Sequence, residues 1–198
     1  MADQNENEFA DELFAHSVRL VRSPKTTDQL MTLAKKRAND ASIFDQHSPI
    51  FFAVEASNNG MDSYYTRMAP NSLRNFQADA RTGVSFQDSQ RTRELGLGGT
   101  LDAELIEDGD TMRLVADIYT LPGLSDLDAF IHRFRAGIAR DVSIGFYGGK
   151  HLCAICNRSI WSWDCPHIPG VEYEVETRND KGDVTSRRKQ VAFAWVDG

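Results

Sequence analysis

The chain has few cysteines, no long apolar run and no excess of positive charge. Three cysteines in 198 residues is an odd number, so they cannot all pair as disulfides. No apolar stretch approaches the roughly 18 residues that a membrane-spanning helix needs. Lysine and arginine total 22 against 29 aspartates and glutamates, a net charge of -7. A general nucleic-acid binder presents a basic face, so no nucleic-acid partner is expected. Internal repeats and low-complexity segments are absent too. The opening Met-Ala-Asp-Gln-Asn-Glu-Asn-Glu lacks the basic and apolar regions of a signal peptide, which predicts a cytosolic protein with no membrane partner.

What is present is ordinary for a globular domain: 41% hydrophobic and 26% charged residues. That length buries one sizeable core with room for a small appended module. Residues 1 to 48 read as a helical segment. Phe9, Leu13, Phe14, Val18 and Val21 make a near-helical stripe over Glu8 to Arg22, stopped by Ser23-Pro24. Thr26 and Gln29 form a capping box ahead of Leu30, Leu33 and Ala34. This segment is read as packing on the main domain, residues 49 to 198, with a docking arm into a larger assembly as the competing reading.

From Pro49 to Glu55 the pattern turns to strand, with Ser57-Asn-Asn-Gly60 as a turn. Ser63 to Arg67 is expected to pair back on it. Ser72 to Ala80 reads as a short helix with Leu73 and Phe76 inward. Gly83 to Arg91 reads as a strand end or loop. Gly99 to Ile106 and Thr111 to Tyr119 predict a hairpin around Glu107-Asp108-Gly109-Asp110, with Asp-Gly as the cue. A helix capped by Ser125 carries Leu127, Phe130, Ile131, Phe134 and Ile138 on its apolar side, with His132 on the surface. Val171 to Glu176 and Gln190 to Val196 read as strands joined by a turn at Arg178 to Asp183. Together these elements predict an α+β fold: a mostly antiparallel, partly closed sheet or barrel flanked by helices.

The chemistry gathers between Asp141 and Gly170. Cys153 and Cys156 form a Cys-x-x-Cys knuckle, and Cys165 with His167 follows as Cys-x-His after eight residues. Three sulfurs and an imidazole suit tetrahedral Zn²⁺, and four protein ligands leave no open position, so the implied metal is structural. The competing reading is three free thiols with His167 on a surface turn. His151 is a spare candidate ligand, read as a bystander. Just upstream, Asp141-Val-Ser-Ile-Gly-Phe146 alternates as a half-buried strand, with Val142, Ile144 and Phe146 inward and Ser143 outward beside Gly145. The glycine leaves room for another backbone to approach. On pattern alone such a serine is usually just solvated.

The run Arg140 to Phe146 resembles the nucleophile motif of the tailed-bacteriophage prohead proteases, the capsid-maturation enzymes. Some of them are similar to this chain in carrying a Cys-x-x-Cys…Cys-x-His insert directly after that motif, here within residues 150 to 170. The resemblance extends to Gly60 to Met68, to Gly83 to Thr100 and to the strand pair that follows, spanning about residues 50 to 196. It implies the fold shared with the herpesvirus assemblins, with Ser143 as nucleophile. It also implies an upstream histidine base, in a segment like Gly-Val-Pro-Phe-x-x-Ser-His-Arg. Here the segment is Gly83-Val-Ser-Phe-Gln-Asp-Ser-Gln-Arg91, so Gln90 stands at the base position; an alternative register puts Gln87 there. A carboxamide cannot take a hydroxyl proton near neutral pH. The resemblance thus implies a base-deleted form, engineered or natural, of a serine endopeptidase. Such an enzyme trims scaffold protein, capsid protein and itself inside proheads assembling in the host cytoplasm, with self-association a further possibility. Its relatives carry a later strand with a Glu-Val-Ser-like motif beyond the point where this sequence stops, so no third catalytic residue is named. The competing readings are a catalytically dead, zinc-stabilised scaffold or adaptor, and a zinc-ribbon binding module on an unrelated core.

Overall fold

The computed structural model describes residues 20–87, 96–123, 125–138, 144–146 and 149–198. Strand β1 (Leu20–Val21) leads into α1 (Thr27–Arg37) and the single turn α2 (Ile43–Gln46). Then come β2 (Ile50–Asn58), β3 (Thr66–Met68), α3 (Pro70–Thr82) and β4 (Ser85–Phe86). The long hairpin β5 (Gly98–Asp108) and β6 (Thr111–Thr120) follows, then α4 (Ser125–Arg135). The chain closes with β7 (Lys150–Cys153), β8 (Glu172–Arg178), β9 (Val184–Val191) and β10 (Ala194–Asp197).

The main sheet runs β1-β2-β6-β5-β4, antiparallel throughout. Its register shifts between Glu55 and Ser57 on β2 and between Thr100 and Asp102 on β5. An extra residue on one strand bends and twists a ladder, and this sheet curls into a half-barrel flanked by helices, the α+β class that the pattern predicts. Gly109 is the first of the hairpin's two connecting residues, at φ +58. Gly109 and Asp110 make the turn, within the expected Glu107 to Asp110.

Both faces of the sheet are covered. On one, Val54, Ala56, Ala103, Leu114, Ala116 and Ile118 form a core with Leu73 and Ala80 of α3, and Phe130 of α4 packs against it. On the other, Leu30 and Ala34 of α1 and Phe44 of α2 bury Leu101, the extra residue of the β5 bulge. The Thr26–Gln29 capping box forms as expected, with Thr26 N–H donating to Gln29 Oε1 at 2.9 Å. Leu127 and Ile131 of α4 are buried and His132 is exposed, but Ile138 is 75% exposed and lies past the helix end, off the apolar stripe.

Three further expectations are corrected. The helix expected over Glu8 to Arg22 falls largely outside the described residues, and its last part, Leu20–Val21, is a strand paired with Val54 and Ala53. Ser63 to Arg67 does not pair back on β2, whose edges already hold β6 and β1. Instead Asp62 caps a turn, accepting from Tyr64 N–H at 2.9 Å and Thr66 N–H at 2.7 Å, and β3 lies parallel to β10. Gln190 to Val196 is two strands, because Ala192 leaves the β8–β9 ribbon to bond Val171 O (2.8 Å) and Gly170 N–H (2.9 Å). No helix among the described residues is long and apolar enough to cross a membrane.

One cation ties the N-terminal arm to the sheet. Lys25 Nζ lies 2.7 Å from Glu104, 3.1 Å from Asp102 and 3.2 Å from the buried Asp117. Burial opposes the Lys25 charge, but bonds to Glu104, Asp102 and Asp117 outweigh it and raise the ammonium above the ordinary lysine range. Burial likewise opposes ionised Asp102, yet Lys25, the Ala103 N–H and Arg81 hold it below the usual carboxylate range. For Asp102 this stability is present above its unfolded pKa and is lost as pH falls through the lowered folded value. For Lys25 it is complete below the ordinary lysine pKa and is lost only as pH rises above it. Lys25→Ala strands the carboxylates and should cost on the order of 3 kcal/mol, read from urea midpoints. Lys35→Ala, which breaks the exposed pair with Asp45 at 3.2 Å, should cost under about 0.5 kcal/mol. Equal costs would refute the pinning role.

Candidate metal centre

The sequence places its four sulfur and nitrogen donors on two short turns, and the fold brings those turns together. Cys153 ends β7, an edge strand fixed against β10 by the pairing of Cys153 with Ala194. Cys153 N–H donates to Arg158 O at 2.8 Å, and Asn157 N–H to Cys153 O at 2.8 Å. Asn157 has φ +55, the left-handed conformation that asparagine tolerates better than most residues. This tight reversal aims Cys156 back toward Cys153, whose sulfur also accepts Ile155 N–H at 3.4 Å.

The second pair arrives through the loop after Ile160. Cys165 N–H donates to Ser162 O at 3.1 Å, and Arg158 Nη1 fastens Asp164 O at 2.7 Å. The His167 ring stands edge-on to Tyr173 at 4.8 Å, and the Tyr173 hydroxyl accepts Ile168 N–H at 2.9 Å. Ile160 and Ala194 bury Cys153 from below. Tyr65 closes the loop end. Its ring lies across Gly170, where an added Cβ would come within 2.6 Å, at φ +83.

One ligand atom from each of Cys153, Cys156, Cys165 and His167 lies within 4.8 Å of all the others. Cys156 and Cys165 sulfurs are 3.6 Å apart; His167 Nδ1 is 3.6 Å from Cys153 and 3.9 Å from Cys165. Zinc holds sulfur at about 2.3 Å and nitrogen at about 2.0 Å, so a tetrahedron has edges of roughly 3.5 to 3.8 Å. The geometry is compatible with a zinc site. A disulfide needs about 2.05 Å, and all three cysteines are free thiols.

The electrostatics ask for a cation. Burial, with the Cys156 and Cys153 sulfurs adding to it, pushes the Cys165 thiol up to about 11. Burial opposes the Cys156 thiolate as well, but the Arg158 backbone, Cys165 and Cys153 outweigh it and lower that thiol. The cluster favours one negative sulfur and resists the next, and a divalent ion removes that resistance.

His151 stays outside the group, its ring 6.4 Å from that of Trp161. Tyr173, Tyr65 and Gly170 were not singled out in the sequence: a tyrosine opening a strand and a glycine after proline carry no signal of what they touch.

The serine site is a different matter. Ser143 and Gln90 both lie outside the described residues, as do Val142 and the Ser125 side chain. Gln87, the alternative base position, is half-buried just after β4. Ile144 and Phe146 are half-buried against the main core, and Gly145 between them is exposed, with open space where a Cβ would be. Over residues 144–146, the described part of this run, the inward–outward alternation holds, but these residues are not in a strand.

Comparison with protein-family models, curated proteins and solved structures found no match. The fold and this cluster together define an α+β protein with a four-ligand Cys₃His centre compatible with zinc.

Gly170→Ala should loosen this centre, because the backbone is left-handed and the Tyr65 ring fills the space. A stability loss of about 1 to 3 kcal/mol is expected, partly relieved in the double variant with Tyr65→Ala; the equilibrium unfolding midpoints decide. No relief would mean that the ring contact is irrelevant.

Proposed function

We propose that this chain is a zinc-clasped, base-deleted serine endopeptidase of the prohead-maturation class. Ser143 is its nucleophile, and Gln90 occupies the seat of the base. Its substrates are capsid and scaffold proteins and the chain itself, inside proheads assembling in the host cytoplasm. The zinc, held by Cys153, Cys156, Cys165 and His167, is structural and lies outside the chemistry.

The observation that carries this reading is where the two segments are anchored. Phe86 and Leu97 bracket the segment that contains position 90, and Ile144 and Phe146 follow the one that contains Ser143. All four belong to one hydrophobic cluster. Phe130 of α4 packs on the first of these flanks, 5.4 Å ring to ring from Phe86. The flanks of both stretches thus pack on the same hydrophobic core, which supports a reading in which a nucleophile and a base meet. The open space at Gly145 suits an extended peptide alongside.

A dead adaptor that binds other virion proteins or its own copies is the second reading, and one feature favours it. Exposed large apolar side chains crowd round the metal module: Trp163 fully, and Trp161, Ile168, Val171, Tyr64 and Tyr65 by 42% to 63%. Such patches mark interaction surfaces.

Gln90→His separates the two. On the protease reading it confers self-cleavage or cleavage of a capsid protein, raised by at least about 100-fold as expected for a restored general base, and Ser143→Ala removes the gain. Cleavage that survives Ser143→Ala, or silence of Gln90→His in a folded protein, overturns the protease reading. For the metal, one zinc per chain is expected. Its removal by a chelator should open residues 154–171 to proteolysis before the half-barrel is cut, followed by mass spectrometry.

A further inference from the structure

We propose that the metal centre is also a selective disulfide site, in which a peroxide joins Cys156 to Cys165 and expels the ion. The inference rests on the zinc reading above. The two sulfurs are 3.6 Å apart, and a bond requires about 2.05 Å. The shift is small, and both residues sit in loop backbone, where 154–171 contains no strand or helix. Both are half-buried, so an oxidant reaches them. Cys153 belongs to the same 4.8 Å group but is 1% exposed and ends a strand paired on β10. Access and backbone freedom therefore select the 156–165 pair.

The chemistry balances with a peroxide as oxidant. A thiolate of the pair attacks one peroxide oxygen, the O–O bond breaks, and hydroxide leaves. The sulfenic acid so formed is attacked by the second thiolate, which makes the S–S bond and expels a second hydroxide. Two electrons pass from the two sulfurs to the peroxide, and solvent protons neutralise the hydroxides. Cys153 and His167 alone are too few donors to retain the ion. The new bond closes the loop that carries Trp161 and Trp163, so the module exchanges one cross-link for another instead of opening.

The test uses the full chain loaded with zinc and treated with hydrogen peroxide. Released zinc is followed with a chromogenic chelator, remaining thiols are alkylated, and the linkage is mapped by mass spectrometry. One zinc released per disulfide is expected, with Cys156–Cys165 as the linkage, Cys153 as the alkylated thiol, and reversal by dithiothreitol and added zinc. Cys153→Ser should still form the bond, whether or not it holds zinc, and Cys165→Ser should not form it. A major linkage through Cys153, sulfinic acid in place of a disulfide, or no disulfide after treatment overturns the proposal. A chain that never takes up zinc refutes the metal reading and with it the expulsion of an ion, while peroxide treatment of that metal-free chain still decides whether Cys156 and Cys165 are the pair that forms.

Discussion

Four possible ligand atoms converge within 4.8 Å in a stretch of chain with few buried apolar side chains. Between Cys153 and Glu172 the backbone forms turns and one isolated bridge, Leu152 to Ser159. Its buried apolar floor is Cys153, Ile160 and Ala194. Fixing a loop of that length costs on the order of 20 kcal/mol in backbone entropy, and so few buried side chains recover only a small part of it. Closure by a metal offsets the difference in small modules of this kind. The sulfur spacing, the resistance of Cys165 to ionisation and the clamps by Tyr65 and Tyr173 all follow from one requirement, that several electron-rich groups share a small volume.

The half-barrel carries this module through β10, whose Val196 lies in the main core. Its sheet is covered on both faces, by α1 and α2 over Leu101 and by α3 and α4 over the larger core. On the first face the attachment is partly ionic, through Lys25 and three carboxylates. On the second it is aromatic: Phe52, Phe86, Phe130 and Phe134 meet ring to ring at 4.9 to 5.7 Å. Phe146 extends that packing to Phe76 of α3 at 5.2 Å. The chain then turns past Gly149, which lies close under Phe146 and Val196, and enters β7. Residues 144–146 and the metal module thus follow one another along the same core.

Local signals were legible in the sequence, and long-range ones were not. The Thr26–Gln29 box, the Gly109 hairpin and the turn after Arg178 are each set by residues within a few positions of one another, so pattern reading finds them. The four ligands were legible for a related reason, because knuckle spacing is itself a local geometry. The parallel pairing of β3 with β10 joins residues 66–68 to 194–196, and no nearby residue encodes it. The break at Ala192 is equally invisible, since it exists to bond Gly170 and Val171. Leu20–Val21 misled because apolar residues at helical spacing also suit a short strand.

The most direct test of the central claim is the absorption spectrum of the chain reconstituted with Co²⁺ in place of zinc. A closed Cys₃His centre predicts one cobalt per chain, intense visible bands of a tetrahedral ion with thiolate charge transfer in the near ultraviolet, and displacement by one equivalent of zinc. Weak bands of a six-coordinate ion, or no binding above that of a Cys153→Ser, Cys165→Ser double variant, would contradict it.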